Sequence, residues 1–516
     1  MKIMHRNIRL LYLILFITAS SCSTTRVAKR DNNKIEVVFV QVNDVYEIAP
    51  IAGGKEGGMA RVATVKKEQL QINPNTFLIM AGDFLSPSVY NSLQYMGQRI
   101  RGKQMVEVMA VSGTDLAIFG NHEFDITENE LQERLNESQF DWVSSNAFHK
   151  KNGKVTPFEK KQGTNITVIP DRYIMRLKDA DGTTAKIGVI GLTLPFNKAD
   201  YVIYTDPLQT AKTIYNELKD SCDAVIAITH QLMPDDIKLA QEIPGLAAIL
   251  GGHEHDMRYQ KVGNVIITKA HANARSAYIV KLNINKKKKK TDVSASLKNI
   301  NETVAADSLT NEHVGKWTKI ANDNYASLGF DAGKVVMPLG ETLDGRESEI
   351  RSMSTNFTRL IGEAIADACP QADVVLMNSG SIRVDDFLPT PITQYDIIRT
   401  LPFGGGILEA DMKGTLLIKT LDVGRKNAGL GGFLIYHPVQ YNAAGNSWTL
   451  NGKPIDPVKN YRVAMTDFLF SGKEANLDFL NKNNPDVVKV YEAETSAKSS
   501  KSDVRLAIIR YMEKKK

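Results

Sequence analysis

The sequence predicts an α/β protein of two domains, and three observations carry that expectation. Over residues 35–300, short apolar runs alternate with amphipathic segments, as strands and helices do when they take turns. Five of those runs end in Asp, Asn or His. Residues 309–328 then carry apolar side chains at helical spacing and stop at Gly329, which reads as a linker helix into a second domain.

The chain is long enough for this plan: 516 residues, 43% hydrophobic and 24% charged, suit two globular domains. Its net charge of +6, from 64 basic against 58 acidic residues, lies partly in the leader and one lysine run and gives no nucleic-acid footprint. Residues 1–22 open with Lys2, Arg6 and Arg9, continue through an apolar stretch at 10–19, and end in Ser20, Ser21 and Cys22. That is an export signal, and its end resembles the lipobox of bacterial lipoproteins, with Cys22 as the lipidated residue. The alternatives are ordinary signal cleavage or a spanning helix, for which the stretch falls short of the roughly 20 apolar residues required. Residues 23–34 read as a tether. The expected setting is therefore the bacterial cell envelope, with a monomer facing the periplasm or cell surface and touching membrane only through its N-terminal lipid. Cys222 and Cys369 fall in different expected domains and read as buried thiols rather than a disulfide or a zinc site.

The apolar runs and their ends, in order, are as follows. Residues 35–42 lead into Asn43 and Asp44, 76–81 into Gly82 and Asp83, and 116–119 into Gly120, Asn121 and His122. Residues 224–228 lead into Thr229 and His230, and 247–250 into Gly251, Gly252, His253, Glu254 and His255. Ligands of α/β sheets bind just beyond the carboxyl ends of strands, so these ends suggest one shared site. The run of lysines at 286–290 falls between strand-like segments 278–285 and 291–300 and reads as a solvated hairpin turn. The second domain offers a helix near 355–368, a strand at 373–377, and further strand and turn signals to about residue 510.

Asp, Asn and His supply oxygen and imidazole donors, the set expected for Mn, Zn, Co or Fe acting at phosphorus. Two divalent ions roughly 4 Å apart sharing a carboxylate generate a nucleophile from water and neutralise phosphoryl charge.

In their order along the chain, Asn43-Asp44-Val45-Tyr46, Gly82-Asp83, Gly120-Asn121-His122-Glu123-Phe124-Asp125, Thr229-His230 and Gly252-His253-Glu254-His255 resemble the calcineurin-like metallophosphoesterases. Further on, Leu343-Asp344-Gly345-Arg346, Arg351, Asn378-Ser379-Gly380-Ser381-Ile382-Arg383 and Leu401-Pro402-Phe403-Gly404-Gly405 resemble the C-terminal domain of 5′-nucleotidases. The resemblance implies a four-layer α/β/β/α metallophosphoesterase sandwich at 35–305, the linker helix within 306–332, and an α+β substrate-binding domain at 333–510. It implies two divalent ions, with Asp83 as the bridge, Asp44 and His255 on one ion, and Asn121, His230 and His253 on the other. His122 with Asp125 would be the catalytic pair. Arg351 and Arg383 would grip phosphate, Phe403 would stack on the base, and Asn378 would hydrogen-bond it.

Two departures stand out. Most relatives carry histidine where this chain has Tyr46, so one ligand is open: a phenolate, a water, or His255 with Asp44 and Asp83 alone would complete that ion's shell. Near the end, residues 471–477 lack the aromatic that would complete the clamp on a base, unless Phe479 swings in. The expected activity is hydrolysis of nucleotide phosphate esters by an exported 5′-nucleotidase-like enzyme. Alternatives within the class are a 2′,3′-cyclic-nucleotide phosphodiesterase, a UDP-sugar hydrolase or a thiosulfohydrolase. From another class comes a nucleotide-binding surface lipoprotein without turnover.

Overall fold

The computed structural model describes residues 31–196 and 199–515. The expected leader and most of the tether lie outside the described residues.

Strand Lys34–Val42 shows how the sequence builds layers. Ile35, Val37 and Phe39 enter one core while Val38, Val40 and Val42 enter another, so the strand is covered on both faces. It sits inside a six-stranded sheet whose spatial order is Lys290–Asn299, Ser276–Asn285, Lys34–Val42, Thr76–Met80, Thr114–Ala117 and Asp141–Trp142. The second six-stranded sheet runs Arg172–Lys178, Thr184–Thr193, Ala224–His230, Ala248–Gly252, Val265–Lys269 and Arg258–Val262. Their facing sides share a core in which Phe39, Ile79 and Ile118 pack with Ile187, Ile226 and Leu250. Helices Met59–Ile72, Lys103–Val111 and Ser308–Ser327 cover the outer face of the first sheet, and Pro207–Leu218 and Met233–Glu242 that of the second. The expected four-layer α/β/β/α sandwich is the observed one.

Helix Ser308–Ser327 does more than link. Val314, Trp317, Ala321 and Tyr325 are buried, and the helix packs against Met59–Ile72 and Lys103–Val111 as part of the outer layer. The lysine run forms the expected hairpin between Ser276–Asn285 and Lys290–Asn299, with residues 287–290 exposed. Cys369 is buried and Cys222 partly so, both as free thiols. Among the described residues, no helix is long and apolar enough to cross a membrane.

The second domain centres on a five-stranded sheet in the order Leu434–His437, Val374–Asn378, Asn460–Thr466, Ile407–Lys413 and Val487–Val490. Helices Asn356–Ala368 and Val504–Lys514 pack together beside it, and Gly414–Lys426 joins a separate core on its other face. Where the sequence suggested strand and turn near the end, the chain forms helix Val504–Lys514. The unbroken apolar run from Leu506 to Ile509 does not distinguish a buried helix from a strand; the cap at Asp503, which accepts from the Arg505 N–H, decides it.

Candidate active site and metal centre

The parallel strands of both sheets deliver their carboxyl ends to one place. Asp44 follows Lys34–Val42, Asp83 follows Thr76–Met80, and Asn121 follows Thr114–Ala117. His230 ends Ala224–His230 and His253 follows Ala248–Gly252. Asp44, Asp83, Asn121 and His230 are all buried. Asp44 (φ 53°), Asp83 (φ 56°), His253 (φ 100°) and His255 (φ 47°) all adopt left-handed backbone, a strain that persists only where surrounding structure enforces it. Close packing also explains the glycine of the Gly-Asn-His motif, because a Cβ on Gly120 would collide with Asp83 Oδ1.

Asp83 lies at the focus. His230 Nε2 faces its Oδ2 at 3.0 Å, the His122 N–H donates to its Oδ1 at 2.8 Å, and Tyr46 Oη is 3.4 Å from Oδ2. Asp44 Oδ2 accepts from Asn43 Nδ2 at 2.7 Å and from the His253 N–H at 2.9 Å. Its Oδ1 lies 3.7 Å from His230 Nε2 and 3.5 Å from His255 Nε2. Tyr46 Oη is 2.9 Å from His255 Nε2, so the tyrosine that replaces the expected histidine meets the histidine at the far end of the ligand set.

These donors fit a metal. One donor atom each from Asp83, His230 and His253 lies within 4.8 Å of the others. His230 Nδ1 is 2.8 Å from the Ala81 carbonyl, which needs a proton donor, leaving Nε2 as the lone-pair nitrogen. That Nε2 and the Asn121 Oδ1 are buried without a hydrogen-bond partner. A lone pair facing a carboxylate calls for a cation between them. Without one a proton serves instead: burial disfavours charge on His230, but Asp83 and Asp44 outweigh it and push its pKa up to about 9. His253 behaves oppositely, since burial and the neighbouring His230 push it down to about 4 and keep it a neutral donor.

His122 and Asp125 lie on one turn of 3-10 helix, with Nδ1 and Oδ2 at 2.6 Å. Burial disfavours charge on His122, yet Asp83 and Asp125 hold its pKa above the usual value. Arg383 reaches this pair from the second domain, with Nη2 3.9 Å from Asp125 Oδ2. A cavity of about 650 Å³ opens over the centre, lined among others by Asp83, His122, His253, His255, Arg351 and Asp385. Arg351 is partly buried and ion-paired with Glu347 at 2.5 Å.

Asn378 and Phe403 do not line that cavity. The Asn378 amide is engaged, donating to Glu474 at 2.7 Å and accepting from Ser381 Oγ at 2.8 Å, while the Phe403 ring is 59% exposed. Phe479 does not swing in as a second ring, because it packs against the core under Lys419 with Nζ 4.0 Å above the ring.

Sequence reasoning missed two supports. Glu123 accepts backbone N–H groups from Asp83 (2.8 Å), Phe84 (2.7 Å), Leu85 (3.0 Å) and Gly120 (2.6 Å), which fixes the loop carrying the central carboxylate. Lys269, fully buried, reaches Asp236 at 2.9 Å, Glu254 at 2.5 Å and the Gln231 carbonyl at 2.6 Å, tying the His230 strand end to the His253–His255 loop. Only the position of Glu123 inside the motif hinted at its role; nothing local marked Lys269.

Comparison with known proteins agrees with this geometry. Residues 37–257 match the calcineurin-like phosphoesterase family model, and residues 336–481 match that of the 5′-nucleotidase C-terminal domain. Protein UshA of Escherichia coli (strain K12) is 26% identical over 529 residues, spanning 92% of this chain and 91% of that one. The 5′-nucleotidase precursor of Thermus thermophilus superposes with a TM-score of 0.66 at 20% identity, covering 93% of this chain and 97% of that one. The sulfate thiohydrolase SoxB of the same organism shares the fold at a TM-score of 0.61 and 16% identity, covering 93% and 94%. With the phosphoesterase model and the C-terminal model matched in that order along one chain, the protein belongs to the 5′-nucleotidase family of calcineurin-like metallophosphoesterases.

Proposed function

We propose that the protein is an exported, metal-dependent phosphoesterase that hydrolyses nucleotide phosphate esters with two divalent ions. The convergence of His230, Tyr46 and the His122 N–H on the buried Asp83 carboxylate carries the reading. Asp44, Asp83 and His255 would hold one ion, with Tyr46 beside it, and Asp83, Asn121, His230 and His253 the other. When bound, such ions lower the pKa of water and neutralise charge on phosphoryl oxygens.

The chain's own groups do the rest. Asp125 holds His122 Nδ1, leaving Nε2 to present a proton to the phosphoryl group or the departing oxygen. Arg383 beside Asp125 and Arg351 on the cavity wall would grip phosphate oxygens. Phe403, exposed on its loop, would stack on a base, and Asn378 would bind its edge once released from Glu474. Because these two lie apart from His122, the reading includes a swing of the second domain, at 333–510, that carries phosphate to the sandwich at 35–305 through the helix within 306–332. Residues 1–22, with Cys22 lipidated, would place a monomer on the cell envelope.

The experiment purifies residues 23–516, quantifies bound metal, and assays with Mn, Co or Zn against AMP, UDP-glucose, a 2′,3′-cyclic nucleotide and a thiosulfate conjugate. Turnover of AMP is expected. Tight nucleotide binding with no turnover of any compound would make the chain a binding protein instead.

A further inference from the structure

The partner of His255 Nδ1 comes from the other domain. Asp385 Oδ2 lies 3.1 Å from that nitrogen, while His255 Nε2 faces Tyr46 Oη at 2.9 Å and Asp44 Oδ1 at 3.5 Å. Asp385 is itself built into place: its backbone is left-handed (φ 38°), and its Oδ1 accepts the Glu347 N–H at 2.6 Å. The next residue, Asp386, pairs with Arg275 of the sandwich at 3.0 Å, so a second contact holds the same strip of the interface.

A histidine that ligates a metal through one ring nitrogen needs its other nitrogen held, commonly by a carboxylate, to fix its tautomer and aim. The other ligand histidines are held or placed within the sandwich; His230, for example, is fixed by the Ala81 carbonyl. His255 instead relies on a carboxylate that moves with the second domain. On the Asp44 side, His255 Nε2 stands 3.5 Å from Asp44 Oδ1 with Tyr46 Oη beside it, while His230 Nε2 is closer to Asp83 (3.0 Å) than to Asp44 (3.7 Å).

We propose that Asp385 is the positioning residue for His255, and that the ion on the Asp44 side binds at full strength only while the two domains stand as they do here. The inference rests on the two-ion reading above. By linkage, filling that position favours the same domain arrangement. A domain swing that admits substrate would loosen one ion and leave the ion at His230 and His253 undisturbed.

The test is titration of metal-free protein with Mn(II) by calorimetry, using the full mature chain, Asp385→Ala, Asp385→Asn and Arg275→Ala. Asp385→Asn keeps an oxygen to accept the Glu347 N–H, which guards against a misfolded loop as the cause. The wild type is expected to bind two ions. In Asp385→Ala the affinity for one of them should fall roughly 10- to 100-fold, with the other within twofold. Asp385→Asn should fall between that variant and wild type. Two unchanged affinities in folded Asp385→Ala would overturn the inference, and a loss in Arg275→Ala as large as that in Asp385→Ala would overturn the positioning role of Asp385 by assigning the effect to the interface in general. A wild-type chain that binds only one ion would instead overturn the two-ion reading, and this inference with it.

Discussion

The Asp83 N–H donates to Glu123 Oε2 at 2.8 Å, so the residue after His122 holds the loop that bears the central carboxylate. Glu123→Ala would strand four buried donors, from Asp83, Phe84, Leu85 and Gly120. At about 1–3 kcal/mol for each unsatisfied group, the expected loss of unfolding free energy exceeds about 3 kcal/mol. Denaturant unfolding checks it, and a loss below about 1 kcal/mol would show that the loop stands without this carboxylate.

His122 is half-buried on the cavity wall among charged groups, yet lies outside the proposed ligand set. Its replacement should separate chemistry from metal binding: His122→Ala is expected to lower kcat roughly 10²- to 10⁴-fold with Mn(II) affinity within twofold. Steady-state kinetics on AMP and calorimetry make the comparison. A parallel loss of metal would reassign His122 as a ligand.

The buried Lys269, with Asp236 and Glu254, forms an ion cluster between the two histidine-bearing strand ends. Lys269→Ala leaves the buried Asp236 without a counter-charge and Glu254 with only Arg258, 3.8 Å away, and is expected to destabilise by about 3–5 kcal/mol. Thermal unfolding of the metal-free protein reads this without interference from the ions.

Phe403 is 59% exposed, so little packing is lost with it. Phe403→Ala should therefore change stability by less than about 1 kcal/mol and raise KM for AMP by a factor of roughly 5 to 150, corresponding to about 1–3 kcal/mol of base stacking. Hydrolysis of ribose 5-phosphate, which has no aromatic ring, should not change. Equal effects on both substrates would remove Phe403 from base recognition.

The sandwich and its ligand ends were legible because both are local signals: an apolar run followed at once by Asp83, Asn121 or His230 reads as a strand delivering a side chain. The His122–Asp125 contact was legible for the same reason, lying within one turn. What stayed hidden depends on distance in sequence. Glu123 acts on Phe84 and Leu85, Lys269 on Asp236, and Asp385 on His255 across a domain boundary, and no spacing rule connects such pairs. The helix Val504–Lys514 was obscured differently, by apolar residues too closely spaced to show a period. The second aromatic of a base clamp, suggested at Phe479, was lost to packing against the core.

In the proposed two-ion site, the Asp83 carboxylate would join two cations. Anomalous diffraction from crystals of the mature chain grown with Mn(II) tests it directly. Two peaks roughly 4 Å apart are expected, both within ligating distance of the Asp83 carboxylate. One peak alone, or two that do not share that carboxylate, would contradict it.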